Sequence, residues 1–125
     1  MRALPFLRVL MRLSITVLLV LGILFWTGHA YALVQVHMVF GLIFVLGLWA
    51  LAGIAAARGA PLPVLIAAVV LGLVVLALGM TQTRLLPGEY HWLIRVLHLA
   101  LGLGAMGFAE RIARHLEANL APVHA

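Results

Sequence analysis

Four long runs of apolar residues, separated by short segments that contain polar residues, glycine or proline, make up most of the chain. A helix needs about 20 apolar residues to cross the ~30 Å hydrocarbon core of a bilayer, where the backbone can satisfy its hydrogen bonds only internally. The pattern predicts an all-α fold: an integral membrane four-helix bundle, with residues 1–125 as a single transmembrane domain and 113–125 as its tail. The predicted spans cover about residues 4–28, 31–57, 64–83 and 90–112.

The connections between these runs are short, so consecutive helices are expected to be antiparallel, in an up-down-up-down arrangement. Gly59, Pro61 and Pro63 break the helix between the second and third spans, and residues 84–89 form the loop before the fourth. The small residues at 28–32 also resemble a signal-peptide cleavage site. A cleaved signal peptide is therefore the alternative to a first transmembrane helix.

Arginines are distributed unequally between the two predicted faces of the membrane. Arg84 lies at one face and Arg95 within the fourth span, while the other six arginines lie at the opposite face. Because cytoplasmic segments are enriched in basic residues, we expect both termini in the cytoplasm, in a bacterial-type cytoplasmic membrane. The predicted cytoplasmic face carries Arg2, Arg8, Arg12, Arg58, Arg111 and Arg114. The predicted outer face carries an aromatic belt of Trp26, Tyr31, Tyr90 and Trp92.

Composition narrows the classes of function. Of the 125 residues, 66% are hydrophobic and only 9% are charged, which excludes a soluble domain and makes the lipid bilayer the main partner. The net charge of +5 comes from arginines at helix ends without a basic stripe, so no nucleic acid partner is expected. Because the chain has no cysteine, it forms no disulfide, no thiolate metal site and no covalent haem attachment.

Two histidines, His37 and His98, lie inside the predicted spans at a matching depth. They are six and eight residues past the outer ends of spans two and four, or roughly 9–12 Å below the outer interface at the rise of an α-helix. Each is followed four residues later by a glycine, Gly41 or Gly102, which leaves a patch free of side chains on the same helix face. A flat macrocycle could lie against such patches.

Helices two and four are diagonal in this kind of bundle, so the two imidazoles can bind one metal centre from opposite sides. We therefore predict that His37 and His98 are the axial ligands of a non-covalent b-type haem (heme b), since imidazole binds haem iron. The alternative is that each histidine is a packing residue, hydrogen-bonded to another helix. Zinc or copper is disfavoured because two ligands fall short of the four that a closed site needs.

Basic residues near the outer face are candidates for binding the haem carboxylates. Arg95 lies three residues before His98, about one turn nearer the outer surface on a similar face. Its alternative role is to extend towards lipid headgroups. Arg84 and His91 are further cofactor-binding candidates at this face, and His29 and His91 could instead form a second metal or substrate site.

The segment Gly79-Met80-Thr81-Gln82-Thr83-Arg84-Leu85-Leu86-Pro87, followed by His98-Leu99-Ala100-Leu101, resembles one four-helix half of the heme A synthase family. The resemblance lies mainly within residues 79–102. It implies a b-type haem-binding site between histidines on the second and fourth helices, at the positions of His37 and His98. The first half of the chain departs from the family pattern, because Gln35 and Met38 stand near His37 where the family carries an acidic residue and an arginine.

Together these patterns predict a small membrane b-type cytochrome that binds one haem near the outer face for electron transfer. Its partner would be a quinone or a membrane redox protein, and the chain could be an oligomer or a subunit of a larger complex. No catalytic residue is assigned; if the protein is an enzyme, it is a haem-dependent membrane oxidoreductase. The alternatives are a non-catalytic accessory subunit and a haem-metabolism protein related to heme A synthase.

Overall fold

The computed structural model describes residues 3–119, and this part of the chain contains four α-helices and no strand. Each helix is long and apolar enough to cross a membrane, which indicates a multi-pass membrane protein. The side of the membrane that each end faces stays a prediction, and Arg2 and residues 120–125 lie outside the described residues. The helices are α1 (Ala3–Trp26), α2 (Val34–Ala56), α3 (Leu62–Thr81) and α4 (His91–Ala118).

The helices differ from the predicted spans at their ends. Single 3₁₀ turns, Tyr31–Leu33 before α2 and Gln82–Arg84 after α3, take the place of regular helix there. The largest difference is at α4, which continues to Ala118 through the segment predicted as a tail from residue 113. Its last turns bury Leu116 and expose Arg114, as expected of an amphipathic helix at a surface.

The connection between α2 and α3 is a tight turn. Gly59 has a φ of 76°, in the left-handed region that glycine adopts without a steric penalty. The backbone N–H of Ala60 donates to the carbonyl of Ala55 at 3.0 Å, which satisfies one of the free carbonyls at the end of α2. Pro61 is extended and precedes α3, and Pro63 lies in the first turn, where its missing N–H leaves no hydrogen bond unmade.

The contacts between α1 and α2 show that these two helices run in opposite directions. On α1 and α2, Leu18 lies beside Gly41, whereas Met11, earlier on α1, lies beside Gly47, later on α2. α2 and α4 each pack against the other three helices, and α2 has the more extensive contacts with α1 and α3. We call the end with the α1–α2 and α3–α4 connections (residues 27–33 and 82–90) the loop end. The opposite end, with the start of α1 and the end of α4, is the terminus end.

Buried side chains are concentrated towards the terminus end. On α2 all buried residues lie between Phe44 and Ala55, and none lies in residues 34–43. On α4 every buried residue except Ile94 lies at or beyond Ala105. The bundle is therefore closely packed over one half of its length and loosely packed near the loop end.

Glycines permit close contact between helices in the packed half. A Cβ on Gly72 of α3 would lie only 2.5 Å from Nε1 of Trp49 and 2.9 Å from Cγ1 of Val45, both on α2. Gly47 of α2 makes a similar contact with Met11 of α1, whose Cγ would be 2.8 Å from an added Cβ. In a lipid environment helices associate through such close packing, because burying apolar groups away from lipid gives little driving force.

An ion-pair network joins α1 to α4 at the terminus end. The Glu110 carboxylate accepts hydrogen bonds from Arg8 at 2.6 Å and from Arg12 at 2.7 Å, and Arg8 also pairs with Glu117. The Glu110 side chain is only 18% exposed, whereas that of Glu117 is 43% exposed. Charged hydrogen bonds are stronger when shielded from water, so Glu110 is the central residue of this network.

The close contact at Gly72 leads to a first prediction. Gly72→Ala should lower the free energy of unfolding by about 1–3 kcal/mol, because α2 and α3 must separate to admit the new methyl group. Gly53→Ala is the matched control, since nothing lies within 4 Å of an added Cβ there. Denaturing-detergent titration of the solubilised protein measures both values, and equal stabilities of the two variants would contradict the predicted close packing.

The ion-pair network leads to a second prediction. Glu110→Gln should destabilise the bundle by about 1–3 kcal/mol, because two arginines lose a shared, largely shielded carboxylate. Glu117→Gln should cost no more than about 1 kcal/mol, as expected for an exposed pair. The same detergent titration ranks the two variants. A larger loss for Glu117→Gln would show that Glu110 is not the central residue.

Candidate functional site

Two histidine side chains meet near the loop end, where the bundle is loosely packed. His37 lies in the first turn of α2 and His98 in the second turn of α4. Their ring centroids are 6.5 Å apart, and the ring planes are inclined by 45°. Both residues are half-buried. The structure thus brings together the two residues that the matching depths on helices two and four had singled out.

Each imidazole lies against a glycine of a neighbouring helix. An added Cβ on Gly22 of α1 would lie 3.9 Å from Cε1 of His37, and one on Gly79 of α3 would lie 3.1 Å from Cε1 of His98. Each two-helix half of the bundle therefore pairs a glycine on its first helix with a histidine on its second.

An aromatic side chain of α1 also contacts the site. The ring of Phe25 meets the His37 imidazole edge to face at a centroid distance of 5.5 Å. Phe25 in turn stacks with Tyr31 at 6.1 Å, and the Tyr31 hydroxyl donates to the Phe25 carbonyl at 3.1 Å. Because Tyr31 is 58% exposed, a continuous series of rings connects His37 with the surface at the loop end.

One ring nitrogen of each histidine at the site makes no hydrogen bond to the protein. The Nδ1 atoms of His37 and His98 are buried and have no hydrogen-bond partner among residues 3–119. A buried polar atom without a partner costs about 1–3 kcal/mol, and native structures contain few of them. Of the five buried side-chain atoms without a partner in residues 3–119, two belong to this histidine pair, and the others lie on Arg8, Ser14 and Trp49.

The spacing of the rings is suited to a shared metal. An imidazole nitrogen binds a metal at about 2 Å, which places two rings on opposite sides of one metal at roughly 6 Å between centroids. The observed 6.5 Å is close to this value. Within residues 3–119 no group of three or more His, Asp or Glu side chains is gathered to hold a metal ion. A metal bound by this pair would need its other ligands from outside the protein.

The other residues predicted for the site lie around it at varying distances. An added Cβ on Gly41 would meet Leu18 of α1 at 3.9 Å, and one on Gly102 would meet nothing within 4 Å. Arg95 is half-buried, and Arg84 is exposed in the turn after α3. Nδ1 of His91 lies 3.2 Å from the Leu85 carbonyl and so must donate its proton there. The cofactor roles of these five residues stay predictions.

His29, a candidate for a second site together with His91, makes a contact within its own loop. Its Nδ1 lies 3.2 Å from the Thr27 hydroxyl, in the connection between α1 and α2. His91 interacts with its own preceding loop through Leu85. In the described part of the chain these two histidines do not belong to a cluster of three or more metal-ligating groups.

Three residues that contact the histidines were not predicted as site residues: Gly22, Gly79 and Phe25. All three lie on α1 or α3, whereas the prediction considered mainly the helices that carry the histidines. A signal was present in the sequence, because Gly22 and Gly79 lie near the loop ends of the first and third apolar runs, at equivalent places in the two halves.

The short distance between Gly79 and His98 leads to a third prediction. Gly79→Val should lower the affinity of the protein for haem about 10–100-fold, the usual effect of disturbing the groups that orient a metal ligand. Gly104→Val is the matched control, because an added Cβ there meets nothing within 4 Å. Optical titration with haem compares the two, and circular dichroism checks their helix content. Equal haem affinities would contradict the role of Gly79.

No related protein provides evidence about this site. Comparison with protein-family models, with curated proteins and with solved structures found no match to the chain. The resemblance to heme A synthase therefore stays an expectation from the residues between 79 and 102.

Proposed function

We propose that this protein is a small membrane b-type cytochrome that binds one haem between α2 and α4, near the loop end. The observation that carries the proposal is the pair of facing imidazoles of His37 and His98, whose centroids are 6.5 Å apart. Their spacing suits two ligands on opposite sides of one metal. No other His or acidic side chain joins them to complete a metal site within residues 3–119.

The macrocycle of a haem would explain why two protein ligands are enough to hold the metal. A haem would bring most of the ligands of its iron with it, so His37 and His98 would be enough to hold it. When bound, the group supplies a centre that can take up and release one electron. The absence of cysteine requires a non-covalent haem. Gly22 and Gly79 support this reading, because their missing side chains leave room beside the two imidazoles.

Residues around the histidines have the chemistry to hold the edges of such a group. Arg95, one turn before His98, is half-buried and carries the charge that a haem carboxylate requires. Arg84 and His91 lie further towards the loop end and are candidates for the same role. Most of the other residues along both helices are apolar.

The loop end is proposed to face outwards, since it carries fewer arginines than the terminus end. The contacts from His37 through Phe25 to the exposed Tyr31 then connect the site with the outer surface. If both histidines held the group, it would supply electron transfer in preference to oxygen chemistry, which needs an open position on the metal. The exchange partner would be a quinol or another redox protein at this face.

A reduced-minus-oxidised optical spectrum of the detergent-purified protein tests the proposal and is the fourth prediction. We expect one haem per chain and a sharp α-band from six-coordinate iron. His37→Ala and His98→Ala should each lose this band, because each removes one of the two protein ligands. His29→Ala, an exposed histidine in the α1–α2 connection, is the control and should keep it.

A stable protein that stays colourless after haem is supplied would overturn the cytochrome proposal. It would favour the accessory-subunit alternative, in which the histidines only pack. Haem bound with a fast off-rate would instead favour a role in haem metabolism, where the haem is cargo or substrate. The rate of haem transfer to apomyoglobin distinguishes a resident cofactor from a transported one.

A further inference from the structure

The two nitrogens of each imidazole differ in their surroundings. Nδ1 of His37 and of His98 is enclosed by protein atoms without a partner, and neither Nε2 atom belongs to this enclosed set. Nε2 is therefore the nitrogen available to a metal. When Nε2 binds the metal as a neutral imidazole, the ring proton lies on Nδ1. Each ligand then carries an N–H group that has no acceptor.

Metal-binding histidines normally donate this second N–H to a carboxylate, a carbonyl or water, which makes the ring a stronger ligand. The helices beside the site offer no such acceptor. Gly22, Gly79 and Phe25, which lie against the two rings, have no polar side-chain atom. Of the three carboxylate side chains, Glu89 is exposed in the loop before α4, and Glu110 and Glu117 are bound to arginines near the opposite end of α4. Helix carbonyls are engaged in the bonds of their own helices.

We propose, on the basis of the cytochrome function above, that His37 and His98 favour the reduced state of the bound centre because neither Nδ1–H is hydrogen-bonded. A weaker imidazole donor stabilises the oxidised, more positively charged iron less than a hydrogen-bonded one does. Burial among apolar residues acts in the same direction, since it disfavours the state of higher charge. The ligand pair thus raises the reduction potential above that of a hydrogen-bonded pair.

A hydroxyl introduced beside one ring tests this inference, and it is the fifth prediction. An added Cβ on Gly22 lies at an ordinary contact distance of 3.9 Å from Cε1 of His37, the ring carbon between Nδ1 and Nε2. Gly22→Ser places a hydroxyl next to this edge of the ring, and its lone pairs can accept the Nδ1–H bond. Gly22→Ala is the matched control, because it adds the same Cβ without the oxygen.

We expect Gly22→Ser to have a lower midpoint potential than Gly22→Ala in haem-loaded protein. If the new bond strengthens binding of the oxidised form about tenfold relative to the reduced form, the difference is roughly 59 mV. Equal potentials, or a higher potential for the serine variant, would overturn the inference. Both variants should keep the α-band, which shows that the two axial ligands remain.

A second measurement needs no variant. Nitrogen-15 NMR of the unsubstituted protein, with labelled histidine, reports whether each Nδ1–H of the loaded and the haem-free protein is hydrogen-bonded. Signals typical of free Nδ1–H groups support the inference, and signals of strongly hydrogen-bonded groups contradict it. If the protein binds no haem, the cytochrome proposal is contradicted. If it binds haem and its Nδ1–H groups are hydrogen-bonded, only this inference is contradicted.

Discussion

A polar group inside a bilayer has no water to bind, and this constraint determines most of the structure. The backbone meets it by forming four helices, each long enough to cross the membrane. Side chains meet it by being apolar over nearly the whole length of the helices. Against this background, the unpartnered Nδ1 atoms of His37 and His98 are costly exceptions. Their presence is difficult to explain by packing, because a leucine would fill the same space without the cost.

The constraint also explains why the two ends of the bundle differ. Near the terminus end, glycines bring α2 into close contact with α1 and α3, and Glu110 binds two arginines of α1. Close packing and shielded ion pairs are the interactions that associate helices in lipid. Near the loop end, α2 has no fully buried residue before Phe44, and the histidines occupy the space between the helices. Stability therefore comes mainly from one half of the bundle.

The sequence predicts the properties that depend on position along one helix. Hydrophobicity and length identify the four spans, and counting residues from the span ends places His37 and His98 at one depth. Contacts between helices depend on how each helix is rotated about its axis, which these counts do not give. Gly22, Gly79 and Phe25 were missed for this reason. The pairing of Arg8 with Glu110 was missed because it joins residues that are distant in the sequence.

The extension of α4 has a related cause. Residues after 112 are polar enough to suggest a tail, but Ala113 and Leu116 are buried and Glu117 binds Arg8, so the helix continues at the surface. These added turns bring a second carboxylate to the terminus end and reinforce the packed half. A ligand that binds only the folded bundle adds to its stability in proportion to the logarithm of its concentration. Because the histidine pair lies in the loosely packed half, a bound haem would stabilise the part of the bundle where the protein supplies least packing of its own.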